Sequence, residues 1–191
     1  MHAGLPDFRL GNILATSFTG TLSERHGNPV ERIPVPHRLI DWLAVNGLAV
    51  DSCTTAQLDL ARELRESIHA VATAAAIQDA LPAAAVQVIN DRSAQGRAVA
   101  ILTSEGKRQW RLSSPSRVED ALGVIAADAI SLVAGERDGK LALCASPTCQ
   151  AAFFDTSQSR TRRWCDMNTC GNRQKKARFH ASRRRIPGPS E

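Results

Sequence analysis

The sequence predicts a mainly α-helical protein with one small β-hairpin, an α+β chain in which a helical N-terminal domain precedes a small four-cysteine module. Three observations predict it. Apolar residues recur at helical spacing through most of residues 36–133. The period shortens to that of strands only between about Val99 and Leu112. Near the C-terminus, Cys144, Cys149, Cys165 and Cys170 stand as C-x4-C-x15-C-x4-C. The expected organisation is a sensor or dimerisation domain over 1–135, a metal module over 140–185, and a disordered tail over 186–191.

From Pro36, the apolar residues Leu39, Ile40, Leu43 and Val45 fall close together on a short helix that Gly47 ends. Thr54 and Gln57 form a capping box for a longer helix reaching about Asp79. Its stripe is Leu60, Leu64, Ile68, Val71 and Ala75. Pro82 interrupts it, and a further short helix is expected over 83–90. Val99–Leu102 and Gln109–Leu112 flank a turn at Glu105-Gly106 and predict the hairpin. Ser114 before Pro115 reads as a helix start with proline in the first helical position. The stripe that follows is Val118, Leu122, Ile125, Ala129, Leu132 and Val133. The polar linker Gly135–Gly139 is short, so the two parts are expected to touch.

Two close cysteine pairs on either side of a short loop fold four thiolates around one tetrahedral ion. Zinc accepts sulfur ligands in that geometry without redox chemistry. Two disulfides are the rival reading, but they need an oxidising compartment, and Met1–Asp7 lacks a signal-peptide pattern. The chain is therefore expected in the cytoplasm. No apolar run approaches the roughly 20 residues of a membrane span. Four thiolates close the coordination shell, so the expected zinc is structural rather than catalytic.

Charge divides the chain. Residues 140–191 hold eleven Lys+Arg against three Asp+Glu, whereas residues 1–139 hold thirteen against sixteen. A basic tail on an acidic body predicts a polyanion as partner of the tail. Candidate nucleic-acid contacts are Arg160, Arg162 and Arg163 in the loop between the cysteine pairs, then Asn172, Arg173, Lys175, Lys176 and Arg178 in a helix expected to begin at Cys170. Arg183, Arg184 and Arg185 extend the positive field. Phe153, Phe154, Trp164 and Phe179 could stack on bases, though core packing is the plainer use of aromatics in so small a module.

Catalytic signatures are missing: there is no G-x-G-x-x-G after a strand, no phosphate-binding lysine loop, no H-E-x-x-H and no G-x-S-x-G. Asp41, Glu63, Glu66 and His69 are helix-borne polar residues that solvated surface explains, and Cys53 reads as a small buried residue. No catalytic role is expected.

The run Cys144-x4-Cys149, Phe153-Phe154-Asp155-x-Ser157, Arg162-Arg163-Trp164-Cys165-x-Met167-x2-Cys170-Gly171-Asn172-Arg173-x-Lys175 closely resembles the CGNR zinc finger. That finger ends a family of bacterial proteins whose N-terminal part is called the ABATE domain, described as stress-induced transcription regulators. The N-terminal resemblance is looser. The family opens with a strand-like Leu-x-Leu-Asp-Phe-x-Asn-Thr segment, which corresponds here to Leu14–Leu22, with Ser17 and Gly20 in place of Asp and Asn. His37–Leu48 resembles the family's next helix. The resemblance implies a nucleoid-associated bacterial regulator that binds DNA through a structural zinc finger. A homodimer and an unidentified small-molecule inducer are possible partners. An RNA- or ribosome-binding protein, or a protein-interaction adaptor, remain open alternatives.

Overall fold

The computed structural model describes residues 5–183. The tail expected over 186–191, with Arg184 and Arg185, lies outside the described residues. Helix α1 (Leu14–Thr19) leads into a short antiparallel pair, β1 (Leu22–Ser23) and β2 (Val30–Glu31). Helices α2 (Pro36–Val45), α3 (Thr55–Ala76) and α4 (Ala83–Gln95) follow. Next come the hairpin β3 (Val99–Leu102) and β4 (Arg108–Arg111), helix α5 (Val118–Val133), a second hairpin β5 (Lys140–Leu143) and β6 (Ala152–Asp155), and helix α6 (Asn172–Arg183).

Helix α5 is the axis of the body. Residues Val118, Ala121, Leu122, Ile125, Ala126, Ala129 and Leu132 are all buried, because α1, α3 and α4 each pack against it. Trp42 of α2 and Phe18 of α1 are fully buried, their ring centroids 5.0 Å apart and tilted by 50°. Tilted aromatic pairs of this kind add about 0.5–1.5 kcal/mol beyond their area. In α3 the Thr54–Gln57 capping box forms as the sequence indicates. The buried stripe is Leu58, Ala61, Leu64, Ile68 and Val71, so Leu60 and Ala75 sit at its margins rather than on it. One side of α3 also carries Arg65, buried and paired at 2.8 Å with both Glu31 and Glu66. The polar candidates Asp41, Glu63 and Glu66 are each ion-paired to arginine. His69 is half-buried, and burial pushes its pKa down to about 4.

Three expectations are corrected. The Leu14–Leu22 segment is not strand-like: it is α1 followed by a two-residue strand. Asp128 of α5 accepts from the Ala15 N–H at 2.8 Å, while Thr16 and Thr19 donate back to carbonyls three residues earlier. Those local bonds favour a helical turn over a ladder. The last body helix begins at Val118, not at Pro115, with Arg117 as its N-cap residue. Buried Asp120 explains the delay, because its carboxylate holds the preceding segment in a loop through Ser113 Oγ and the Arg97 N–H. Helix α4 runs to Gln95, past the expected residue 90.

The β3–β4 hairpin sits at the base of α5 through a direct backbone approach. A Cβ on Gly123 would lie 2.6 Å from Gly96 Cα, and one on Gly96 would lie 2.7 Å from Gly123 Cα. Neither backbone can yield without shifting the hairpin. Gly123→Ala should therefore lower the unfolding free energy by about 1–3 kcal/mol, measured by urea titration. Unchanged stability would show that the approach is slack.

Candidate metal centre and basic surface

Each cysteine reaches the centre from a defined turn. Cys144 follows β5, and its N–H donates to the Ala151 carbonyl at 2.9 Å, closing the end of the β5–β6 hairpin. Cys149 N–H donates to Ser146 O at 3.0 Å, and Gln150 turns left-handed with φ 46°. Ala145 N–H donates to Arg163 O at 2.8 Å, which brings the second pair alongside the first. Helix α6 was expected to start at Cys170. Instead the chain is helical from Met167, as a π-helical turn over Met167–Gly171 that continues into α6. Asp166 caps that turn, accepting from the Asn168 N–H at 2.9 Å and from Thr169 Oγ1 at 2.8 Å. A Cβ on Gly171 would lie 2.4 Å from Met167 Sδ, so a side chain there would have to push the exposed Met167 thioether aside.

The four sulfurs lie within 4.8 Å of one another. Cys149–Cys165 and Cys165–Cys170 are each 3.7 Å apart, nearly twice the disulfide bond length of about 2.05 Å. All four cysteines are free thiols, and three are buried. The sulfurs of Cys149 and Cys165 pull the Cys144 pKa down to about 2. The Cys144 sulfur in turn pushes Cys149 up to about 12, and Cys165 is pushed up as well. A centre whose sulfurs compete for charge in this way suits a dication, which lets all four ionise together. The donor set fits one structural zinc.

The loop after β6 is shaped by one carboxylate. Asp155 is fully buried and accepts from the Ser157 N–H and the Arg162 N–H, both at 2.9 Å. Burial works to raise its pKa, yet the donors from Ser157 and Arg162 hold it below the usual range. The loop therefore projects Arg162 and Arg163, both exposed. Arg162 lies over the Phe153 ring and Arg163 over Trp164, each about 5.4 Å from the centroid. Phe153 and Trp164 pack around the sulfurs, Phe154 joins the body core, and Phe179 is 57% exposed. Lys175 and Lys176 are exposed on α6. Asn172 bonds back to the Asn168 carbonyl at 3.4 Å. The Arg178 side chain lies outside the described set.

Two of the candidate contacts turn out to have other work. Arg160, at φ 48°, pairs with Asp138 of the linker. Arg173 reaches across to the body and grips Glu24 in a two-pronged pair, Nη1 to Oε2 and Nη2 to Oε1, the second at 2.9 Å. Thr148 of the first cysteine turn completes the cluster, donating to Glu24 Oε2 at 2.9 Å and accepting from Arg173 Nη1 at 3.0 Å. Alongside it, the His26 N–H donates to the Thr148 carbonyl at 3.1 Å. Glu24 is buried and takes a left-handed φ of 55°, a conformation that costs a non-glycine residue about 1–3 kcal/mol. The hydrogen bond from Arg173 is the main reason its carboxyl titrates below the usual value. Nothing in the sequence marks Glu24 or Thr148, since these partners are 149 and 124 residues away in the chain. Asp155 could have been found from the Asp-x-Ser pattern of a side-chain-capped turn.

A cleft of about 440 Å³ runs along the seam, bounded by Phe8–Gly11 and α1 on the body side and by Cys149, Cys165 and Phe153 on the module side. Ser17 and Gly20, the two positions that depart from the family motif, both line it.

A helical body with a four-cysteine module clasped to it defines a two-part metal-binding protein of the zinc-finger class. Residues 12–136 match the ABATE family, described as "Putative stress-induced transcription regulator", and residues 140–184 match the CGNR zinc finger. The chain belongs to the ABATE family and ends in a CGNR zinc finger. Compared with functionally curated proteins, it matches none.

The clasp makes a pH-dependent prediction. A carboxylate with a lowered folded pKa stabilises fully above its ordinary value of about 4.3 and loses that contribution as pH falls through the folded value. A double-mutant cycle of Glu24→Gln and Arg173→Gln, followed by urea unfolding, should give a coupling of about 1–2 kcal/mol at pH 7. The coupling should shrink as pH falls below that ordinary carboxylate value. Zero coupling at pH 7 would mean the pair does not hold the module.

Proposed function

We propose that this protein is a transcription regulator that binds duplex DNA through the zinc-supported loop and the first turns of α6. The observation that carries this reading is the buried Asp155, which fixes the loop backbone so that Arg162 and Arg163 face solvent. Among the described residues, neither arginine, nor Lys175 or Lys176, has a carboxylate partner. Cations held on a rigid frame lose little entropy on meeting phosphates, and each one that displaces condensed counterions adds affinity. The family description supports a regulator.

The roles within the module differ. Arg162, Arg163, Lys175 and Lys176 contact the backbone. Arg160 joins them only where phosphate outcompetes Asp138, an exposed pair that contributes little on its own. Arg173 positions the module instead of touching DNA. Zinc, when bound, supplies the folding energy that a segment this short cannot draw from its own core. On this reading the chain acts by binding and carries out no reaction.

Anisotropy titration of a labelled random duplex across about 50–300 mM salt tests the proposal. Binding should weaken linearly on log–log axes, and Arg162→Ala with Arg163→Ala should reduce the slope by about 2. Absence of salt-dependent binding by zinc-loaded protein would refute it. Preference for structured RNA in competition would transfer the surface to an RNA partner.

A further inference from the structure

The β3–β4 hairpin is a basic ribbon on an otherwise acidic body. Residues 97–111 carry Arg97, Lys107, Arg108 and Arg111 against Glu105 alone, whereas the rest of residues 1–139 holds nine cations and fifteen anions. None of the four cations has a carboxylate partner among the described residues, and Glu105 sits at the tip, bonded by Ser104. Among the described residues the two strands pair only with each other, in the register Val99↔Arg111, Ala100↔Trp110, Ile101↔Gln109 and Leu102↔Arg108. Cross-strand partners share a face. One face therefore carries Ala100, Trp110, Leu102 and Arg108, with Trp110 packed on the body core. The other carries Val99, Ile101, Gln109 and Arg111, continued by Lys107. That outer face is largely open: Val99 is 52% exposed.

The ribbon runs along α5 toward the linker that leads to the zinc finger. Its base is fixed at the start of α5, where Asp120 accepts from the Arg97 N–H at 2.8 Å and Gly96 meets Gly123. From there Trp110 lies along α5 past Val124 and Ala127. Arg108, nearer the tip, shares a surface depression with Asp128, Ser131 and Arg137. Arg137 belongs to the linker and pairs with Asp128. The next residue, Asp138, pairs with Arg160 in the loop of the finger. Arg108 of the hairpin and Arg160 of the finger loop thus flank the same short linker.

We propose that the β3–β4 hairpin is a second DNA-backbone contact, continuous across the linker with Arg160, Arg162 and Arg163. This rests on the function proposed above and extends it from the finger to the body. Charge complementarity selects the occupant: an open strand face with unpaired cations repels a second copy of itself and attracts phosphate. Exposed ribbons of two strands are among the elements that dock on duplexes.

The test uses the zinc-loaded full chain and the same random duplex. The triple variant Lys107→Gln, Arg108→Gln, Arg111→Gln should reduce the log–log salt slope by about 2–3. Its thermal unfolding should stay close to wild type, because all three side chains are exposed and the contact given up is that of Arg108 over the Trp110 ring, 5.3 Å from its centroid. Amide exchange on the wild-type complex gives an independent reading, with added protection expected over residues 103–111 as well as 156–163. An unchanged slope, or protection confined to the finger, overturns the hairpin proposal while leaving the finger as the DNA-binding element. If wild type shows no binding at all, both proposals fall.

Discussion

Four cysteine sulfurs crowded within 4.8 Å of one another impose a condition that nothing else in the module can meet: their negative charge needs a cation. Ordinary packing does not substitute for it. Among the described residues, the module's own apolar cluster consists of the cysteines, Phe153 and a few half-buried neighbours, well short of the core an independent domain requires. The shape of the basic loop depends in turn on that centre. The Arg163 carbonyl accepts from the Ala145 N–H of the first cysteine turn, and the Arg162 N–H donates to Asp155 just before the third ligand.

The body supplies what the metal does not, a fixed orientation. Leu141 of β5 and Phe154 of β6 pack against the body core, which makes the seam partly hydrophobic. Glu24 and Arg173 then add a directional bond. Two-pronged carboxylate–guanidinium pairs fix an angle as well as a distance, and the left-handed backbone at Glu24 shows that the chain tolerates local strain to present that carboxylate. A finger free to swing could not keep its arginines in line with the hairpin. On the proposed reading, the clasp lets two basic elements far apart in sequence act as one surface.

Much of this was legible in the residues. The cysteine spacing gave the ligand set, and the 3.6-residue period gave α2, α3 and α5 with useful accuracy. The capping box at Thr54 and the hairpin near Glu105-Gly106 followed from local chemistry. What was not legible depended on long-range partners. Leu14–Leu22 reads as extended, but Asp128, more than a hundred residues later, caps it as a helix. Arg173 looks like any other cation of a basic helix until Glu24 is placed beside it. Arg160 likewise reads as a free loop cation, although a linker aspartate pairs with it. Charge counts along the chain also hid the basic character of that hairpin, because averaging over an acidic body masks a local run of cations.

The central claim is that the metal centre organises the finger and, through it, the seam with the body. Amide hydrogen exchange on the full chain before and after chelation tests this most directly. Residues 140–183 should lose protection when zinc is removed, the turn at 24–27 should lose it with them, and α3 and α5 should stay protected. A module that keeps its protection without metal would contradict the claim, as would a 24–27 turn indifferent to chelation.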